Sequence, residues 1–329
     1  MPHQMIADKI WKIEVPLPNN PLRATNAYLI RGKERNLLID TGFNQKECLD
    51  ALTQALDALR VHAEDTDIFV THMHADHSGL VGHLAGKDTR IYMSRVDGQI
   101  TLNGRNDPYW EKLKQFYTLT GLASLGLVDE VSAHPGYAFA SPPMDAVVFV
   151  EDGQELKVGD YRFACLETKG HTAGHMCLYE PSRRMLFSGD HILGKITPNI
   201  TLVDFKHDSL AAYLKSLDAV AAMEVDATHP GHRESIADCG KRIAELKSHH
   251  EERLAEAMAI LSGGAMNAVD VTRRMQWSIR CPSWDDFPQA QKLFSTGEAL
   301  SHLFHLVNRG MLSMRREDGG IVYFEKSAG

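Results

Sequence analysis

His72, His74, Asp76 and His77 place four side chains able to bind a metal within six consecutive positions of the run Thr71-His72-Met73-His74-Ala75-Asp76-His77. In that spacing His72 and His74 can face one ion while Asp76 and His77 face another. Imidazole suits zinc and iron, and the carboxylate adds the negative charge that a second divalent cation needs. A histidine-rich surface loop without metal is the competing account, and ligands elsewhere in the chain decide between the two.

The elements around this run must hold it still. Asp67-Ile68-Phe69-Val70, β-branched and aromatic, reads as a short buried strand that delivers the histidines onto the loop at its C-terminal end. Ser78-Gly79-Leu80-Val81-Gly82-His83-Leu84 reads as the start of a helix capped by its serine. Further strands are predicted at Ile10 to Val15, Ala27 to Ile30, Asn36 to Ile39, Tyr161 to Glu167, Met176 to Tyr179 and Arg184 to Phe187. Helical spacing of apolar residues predicts helices over Lys46 to Leu59 and about Ser209 to Met223. Strands mixed with helices in this way support an α/β layered fold.

Four motifs besides the histidine run follow the chain in order: Leu38-Ile39-Asp40-Thr41-Gly42, Lys169-Gly170-His171-Thr172-Ala173-Gly174-His175, Ser188-Gly189-Asp190-His191 and His229-Pro230-Gly231-His232. Together the five resemble the metallo-β-lactamase superfamily of hydrolases over about residues 10 to 235. The resemblance implies a four-layer αβ/βα sandwich, which periodicity alone does not reveal. It also implies two divalent ions per chain, zinc first, with iron and manganese as alternatives. On this pattern His72, His74 and His171 hold one metal and Asp76, His77 and His232 the other, with Asp190 bridging. Asp40 takes the place of a carboxylate that orients the histidine cluster from behind. Asp190 stands where many secreted β-lactamases of the family carry cysteine, which argues against antibiotic degradation. His74 stands where the flavo-diiron branch carries glutamate, which argues against a redox diiron site.

The other histidines are expected to do less. His175, His191 and His229 lie beside expected ligands and are read as supporting residues. His191 and Lys195 are also close enough in sequence to Asp190 to contact substrate. His83, His134, His249, His250, His302 and His305 are assigned to solvated surfaces or packing sites.

At 329 residues the chain exceeds one domain of ~100 to 200 residues, so two domains are expected. The metal-hydrolase domain is placed at residues 1–234. Within it an insertion at about 101–144 carries Tyr109, Trp110, Phe116, Tyr117, Leu122, Leu125, Leu127, Tyr137 and Phe139. Most of these are read as ordinary helix core, although a lid over the metals is the functional alternative. Residues 235–329 form the second domain. A charged helix from about Ser235 to Leu261 ends at Ser262-Gly263-Gly264, helices follow at Ala268 to Met275 and Gly297 to Asn308, and a hairpin over Leu312 to Phe324 turns at Asp318-Gly319. This order resembles the small winged-helix appendages of some superfamily members. From Arg233 onward 13 basic residues are balanced by 13 acidic ones, so a cap or a dimer contact is favoured over a nucleic-acid reader.

The net charge of -8 argues against a strongly nucleic-acid-seeking surface. Cys48, Cys165, Cys177, Cys239 and Cys281 are scattered without paired spacing, as in reduced cytoplasmic proteins. Neither a secretory signal nor a run of apolar residues long enough to span a membrane is present, so the expected location is cytoplasmic. No Gly-rich phosphate loop, Gly-x-Ser-x-Gly elbow or Cys-x-x-Cys pair competes with the metal reading.

The expected chemistry follows from the ligand set. Two divalent ions sharing a water lower its pKa toward neutrality, and the hydroxide attacks an electrophilic carbonyl or phosphorus. Asp76 and Asp190 are the expected catalytic carboxylates, Asp76 orienting the nucleophile as well as binding metal. The expected substrate is a small-molecule thioester or another carboxylic ester or lactone, as for glyoxalase II-like members. A phosphodiesterase or endoribonuclease is the first alternative, because Gly189-Asp190-His191-Ile192-Leu193-Gly194 and the appendage are similar to those of β-lactamase-like endoribonucleases. A non-catalytic metal-binding or winged-helix regulatory protein is the second, and the full ligand set speaks against it.

Overall fold

Side chains that alternate along a strand fall on opposite faces, and burial in the early strands follows that rule. Leu37 and Ile39 enter one apolar core while Leu38 enters another; Phe69 and its neighbours Ile68 and Val70 divide in the same way. The computed structural model describes residues 3–126, 132, 134–279, 281–317 and 320–327. Among them, β1 (His3–Ala7), β2 (Ile10–Pro16), β3 (Ala24–Ile30), β4 (Asn36–Ile39), β5 (Thr66–Phe69), β6 (Ile91–Ser94) and β7 (Val148–Val150) form a sheet in sequence order. Its pairings are antiparallel up to β4 and parallel beyond. A second sheet, in the order β12-β11-β10-β9-β8, comprises β8 (Glu155–Val158), β9 (Tyr161–Glu167), β10 (Met176–Glu180), β11 (Met185–Gly189) and β12 (Ala227–Pro230).

One core lies between these sheets. It joins Ile10, Tyr28, Ile39 and Phe69 of the first to Phe163, Leu178 and Phe187 of the second. Tyr28 meets Phe187 edge-on, with ring centroids 5.1 Å apart. The other core lies on the outer face of the first sheet, under α1 (Lys46–Ala58). Cys48, Leu52, Ala55 and Leu56 fall on one helical stripe and pack with Ile13, Val15, Leu38 and Ile68.

The remaining helices are α2 (Ala75–Ser78), α3 (Val81–Leu84), α4 (Arg95–Asn103), α5 (Tyr109–Thr118), α6 (Pro135–Ala138), α7 (Ser209–Ala221), α8 (Cys239–Ile260), α9 (Ala268–Arg274) and α10 (Gln289–Asn308). Ser78 ends α2 instead of capping a helix. Its hydroxyl donates back to the carbonyls of Met73 and His74, at 3.0 and 3.1 Å.

The chain forms two compact units, neither continuous in sequence. The first comprises Met1–Asp107, Pro135–Pro198 and Ser216–Ile243 and contains both large sheets. The second comprises Pro108–His134, Asn199–Lys215 and Ala244–Gly329. A single break after residue 234 does not anticipate this, because part of the insertion packs with the C-terminal residues. Phe116 lies 5.0 Å from Phe205, which lies 5.5 Å from Phe304, and the amide of Val322 donates to the carbonyl of Leu119. Trp110, Phe116, Tyr117 and Leu122 are buried, as ordinary core side chains are. Leu127 lies outside the described residues.

In the second unit β13 (Met266–Asn267), α9, α10, β14 (Leu312–Arg316) and β15 (Val322–Lys326) follow one another, and the three strands pair in the order β13-β15-β14. The hairpin register runs from Leu312 opposite Lys326 to Arg316 opposite Val322; the expected turn at Asp318-Gly319 lies outside the described residues. No described helix is long and apolar enough to cross a membrane.

Candidate metal centre

Every expected ligand, and Asp40 behind them, sits just past the C-terminal end of a strand. Asp40 follows β4, His72 to His77 follow β5, His171 follows β9, Asp190 follows β11 and His232 follows β12. The two facing sheets therefore deliver them to one end of the first unit. Three groups of donor atoms result, each lying within 4.8 Å of one another: His72 with His74 and His171, His72 with His77 and Asp190, and Asp76 with His77 and His232.

In the first group His72 Nε2 lies 3.0 Å from His74 Nδ1 and 3.3 Å from His171 Nε2. Zinc–nitrogen bonds of about 2.0–2.1 Å at tetrahedral angles put neighbouring donors about 3.3 Å apart, so this triangle matches one face of such a site. In the second group His232 Nε2 lies 3.2 Å from Asp76 Oδ2, and His77 Nε2 lies 3.7 Å from the same oxygen. Asp190 spans the two: its carboxylate oxygens lie 3.4 Å from His232 Nε2, 3.5 Å from His77 Nε2 and 3.8 Å from His171 Nε2. His77 Nε2, His232 Nε2 and Asp190 Oδ1 are buried without a directed hydrogen bond. Buried polar atoms are ordinarily paired. Converging unpaired donors of this chemistry fit divalent cations.

Hydrogen bonds behind the donors fix which nitrogen faces the centre. Asp40 is buried and held at φ 58°, in the left-handed region that aspartate tolerates. Its Oδ1 accepts the Thr71 amide at 2.8 Å, and its Oδ2 accepts the Thr71 hydroxyl at 2.9 Å and His77 Nδ1–H at 2.8 Å. The Thr71 hydroxyl, having donated to Asp40, accepts from His72 Nδ1–H at 2.9 Å. His232 Nδ1–H donates to the Ala24 carbonyl at 2.8 Å. In each case Nδ1 is engaged by an acceptor and Nε2 faces the centre, where a bound cation would take its lone pair.

The two ends differ electrostatically. Burial pushes His72 well below the usual histidine range, and the neighbouring imidazoles push it further. His74 is pushed down to about 3 by burial and by His171. Burial also disfavours charge on His77, but Asp40, Asp190 and Asp76 more than reverse this and hold it well above the ordinary value. His232 is raised to about 10 in the same way, by Asp190 and Asp76 against burial. Asp76 falls to about 2 although burial opposes it, because of His77 and His232; Asp190 falls well below the carboxylate range for the same reason. Protons on these imidazoles balance carboxylate charge that a bound cation would balance in their place.

His175 is read from the sequence as a supporting residue; Thr168 and Asp97, which hold it and the histidine loops, escape such a reading. His175 Nε2 accepts the Asp190 amide at 3.2 Å, while its Nδ1–H donates to the Thr168 hydroxyl at 2.8 Å. Gly189, at φ +48°, sits so close that an added Cβ would lie 2.8 Å from His175 Nε2 and from Thr71 Cβ. Asp97, buried at the start of α4, touches both histidine loops. The pattern Ser94-x-x-Asp97 is a helix-start signature that could have drawn attention to it. Two expected substrate contacts lie outside the three groups. His191 is fully buried with its ring 6.1 Å from that of His175, so burial leaves it no exposed face. Lys195 is exposed and paired with Glu234 at 3.1 Å.

Facing sheets that present buried histidines and aspartates at their strand ends define a metal-dependent hydrolase built on a divalent-metal-binding fold. The family follows from the sequence: the model of the Metallo-beta-lactamase superfamily matches residues 20–232, and the chain belongs to that superfamily. It is 26% identical over 294 residues to a beta-lactamase-like protein 2 homolog of Caenorhabditis elegans, covering 85% of this chain and 81% of that one. It is 27% identical over 262 residues to acyl-coenzyme A thioesterase MBLAC2 of Homo sapiens, covering 75% and 86% respectively. Among solved structures it is similar to a metallo-beta-lactamase family protein of Thermus thermophilus, with a TM-score of 0.80 and 26% identity over 98% of this chain and 100% of the other.

Proposed function

We propose that the chain is a dinuclear, zinc-dependent thioesterase acting on a small-molecule acyl thioester. The observation that carries the dinuclear reading is the position of Asp190, one carboxylate within 3.8 Å of His171 on one side and of His77 and His232 on the other. His72, His74 and His171 would hold the first ion, Asp76, His77 and His232 the second, and Asp190 both. Ions bound there supply Lewis acidity toward a carbonyl oxygen and lower the pKa of water.

The chain's own groups do the rest. Asp40, through Thr71 and His77, keeps two imidazoles in the tautomer that presents Nε2. Asp76 and Asp190, both held ionised, accept hydrogen bonds and orient a nucleophilic water; neither carries a proton to give a leaving group. A thiolate, whose conjugate acid has a pKa of about 8.5, departs without one, whereas an amide nitrogen does not. This favours a thioester over an amide. The similarity to a protein named acyl-coenzyme A thioesterase supports the same class.

The order of elements in the C-terminal region supports a winged-helix-like appendage. Arg315 in its hairpin is neutralised by Glu317 and Glu325, at 2.5 and 3.8 Å, which supports a protein contact over a nucleic-acid contact.

The test is a hydrolysis panel of coenzyme A thioesters, lactones, β-lactams, phosphodiesters and single-stranded RNA, each with zinc, manganese and iron. Thioesters should give the highest kcat/KM. Turnover confined to phosphodiesters or RNA would overturn the reading.

A further inference from the structure

Asp97 touches both of the loops that carry His72, His74 and His171. Ser94 caps α4, its hydroxyl accepting the Asp97 amide at 3.3 Å. In an ordinary capping box the acid at this position reaches back to its own helix. Here it does not. Asp97 Oδ2 accepts the backbone N–H of Met73 at 3.0 Å and the hydroxyl of Thr172 at 2.5 Å, while Oδ1 is buried without a hydrogen-bond partner. Met73 lies between His72 and His74, and Thr172 directly follows His171.

The side chain is 1% exposed. Burial pushes its pKa up to about 6 against the donors around it, so the carboxylate occupies a place that apolar packing would fill at less cost. Gly174 packs closely against it. A Cβ on Gly174 would collide with Ser94 Oγ and lie 2.6 Å from Asp97 Oδ1.

We infer that Asp97 is a positioning residue that clamps the loop of His72 and His74 to the loop of His171, and so sets the spacing and metal affinity of the first donor group without itself touching a metal. The inference rests on the dinuclear reading above. The second donor group, Asp76 with His77 and His232, is anchored elsewhere, by Asp40 and the Ala24 carbonyl, and so responds less to loss of the clamp.

The experiment compares wild type, Asp97→Asn, Thr172→Val and Ser94→Ala as full chains. The readouts are chelator competition fitted to two sites, the d–d absorption of the cobalt-substituted protein, and steady-state kinetics. Asp97→Asn should weaken one of two sites by roughly 10- to 100-fold, the usual effect of losing a partner behind the ligands, and alter the cobalt spectrum. It should lower kcat more than it raises KM. Thr172→Val, which removes one hydroxyl donor and keeps the side-chain size, should give a smaller change in the same site. Ser94→Ala removes the cap but not the clamp, so it should lower thermal stability while both affinities hold. If Asp97→Asn fails to fold, the Thr172→Val result decides. Two sites of unchanged affinity in Thr172→Val or Asp97→Asn would overturn the inference while leaving the dinuclear reading intact. Fewer than two sites in wild type would overturn the dinuclear reading itself.

Discussion

Asp40 Oδ2 lies 2.8 Å from His77 Nδ1, and the same carboxylate receives the amide and hydroxyl of Thr71, the residue before His72. One buried anion therefore orients two imidazoles that face different parts of the centre. Asp40→Asn keeps the size but puts an amide N–H against groups that are themselves donors. Metal affinity should fall roughly 10- to 100-fold. Breaking a buried ion pair of this kind costs about 3 kcal/mol of stability. Chelator competition and denaturant unfolding measure the two effects, and wild-type values in both would remove Asp40 from the centre.

Gly231 approaches the same region from the other sheet. A Cβ added there would lie 2.5 Å from Asp190 Oδ1 and 2.6 Å from His77 Cε1. Gly231→Ala should therefore displace the spanning carboxylate while the sheets remain. The expected result is reduced metal content with unchanged far-ultraviolet circular dichroism. Full metal content in the variant would show that Asp190 tolerates displacement.

Much of this centre can be read along the chain because its parts are short and strand-anchored. The run from His72 to His77 is local, and the order of the five motifs supplies the rest through family resemblance. Asp97 is different: it acts through Met73 and Thr172, and Thr172 is 75 residues away in sequence. No periodicity signals such a contact. The strands β1, β6, β7, β8 and β12 are not anticipated either; each has three to five residues, a length at which alternation alone separates strand from loop poorly. Residues 108–134 mislead for another reason. An aromatic, amphipathic pattern says that a helix is buried, not which partner buries it, and here the partners come from the C-terminal unit.

That unit carries a half-buried acid of its own. Burial raises the pKa of Glu298 from 4.5 to about 7, against the pull of Arg253 and a hydrogen bond from Asn199 at 2.9 Å. Because its folded value lies above its unfolded value, the folded state binds the extra proton between those pH values, and stability falls as pH rises from about 4.5 through 7. The cost in alkaline solution is about 3 kcal/mol. Glu298→Gln retains an acceptor for Asn199 and removes the ionisation. It should match wild type near pH 4.5 and exceed it by up to about 3 kcal/mol at pH 8. His250 and His302, buried nearby and pushed down to about 2 and about 3, titrate in both proteins and cancel in the difference. Thermal unfolding at the two pH values is the measurement, and a pH-independent difference would contradict the assignment.

On the proposed function, Asp190 joins two metal-binding groups into one centre. Elemental analysis of protein purified without chelator, alongside Asp190→Ala, tests it most directly. Wild type should contain close to two divalent metals per chain, and the variant should lose at least one of them together with thioester hydrolysis. A wild-type content near zero that does not rise on reconstitution, or an Asp190→Ala variant with full metal content and full activity, would contradict the account.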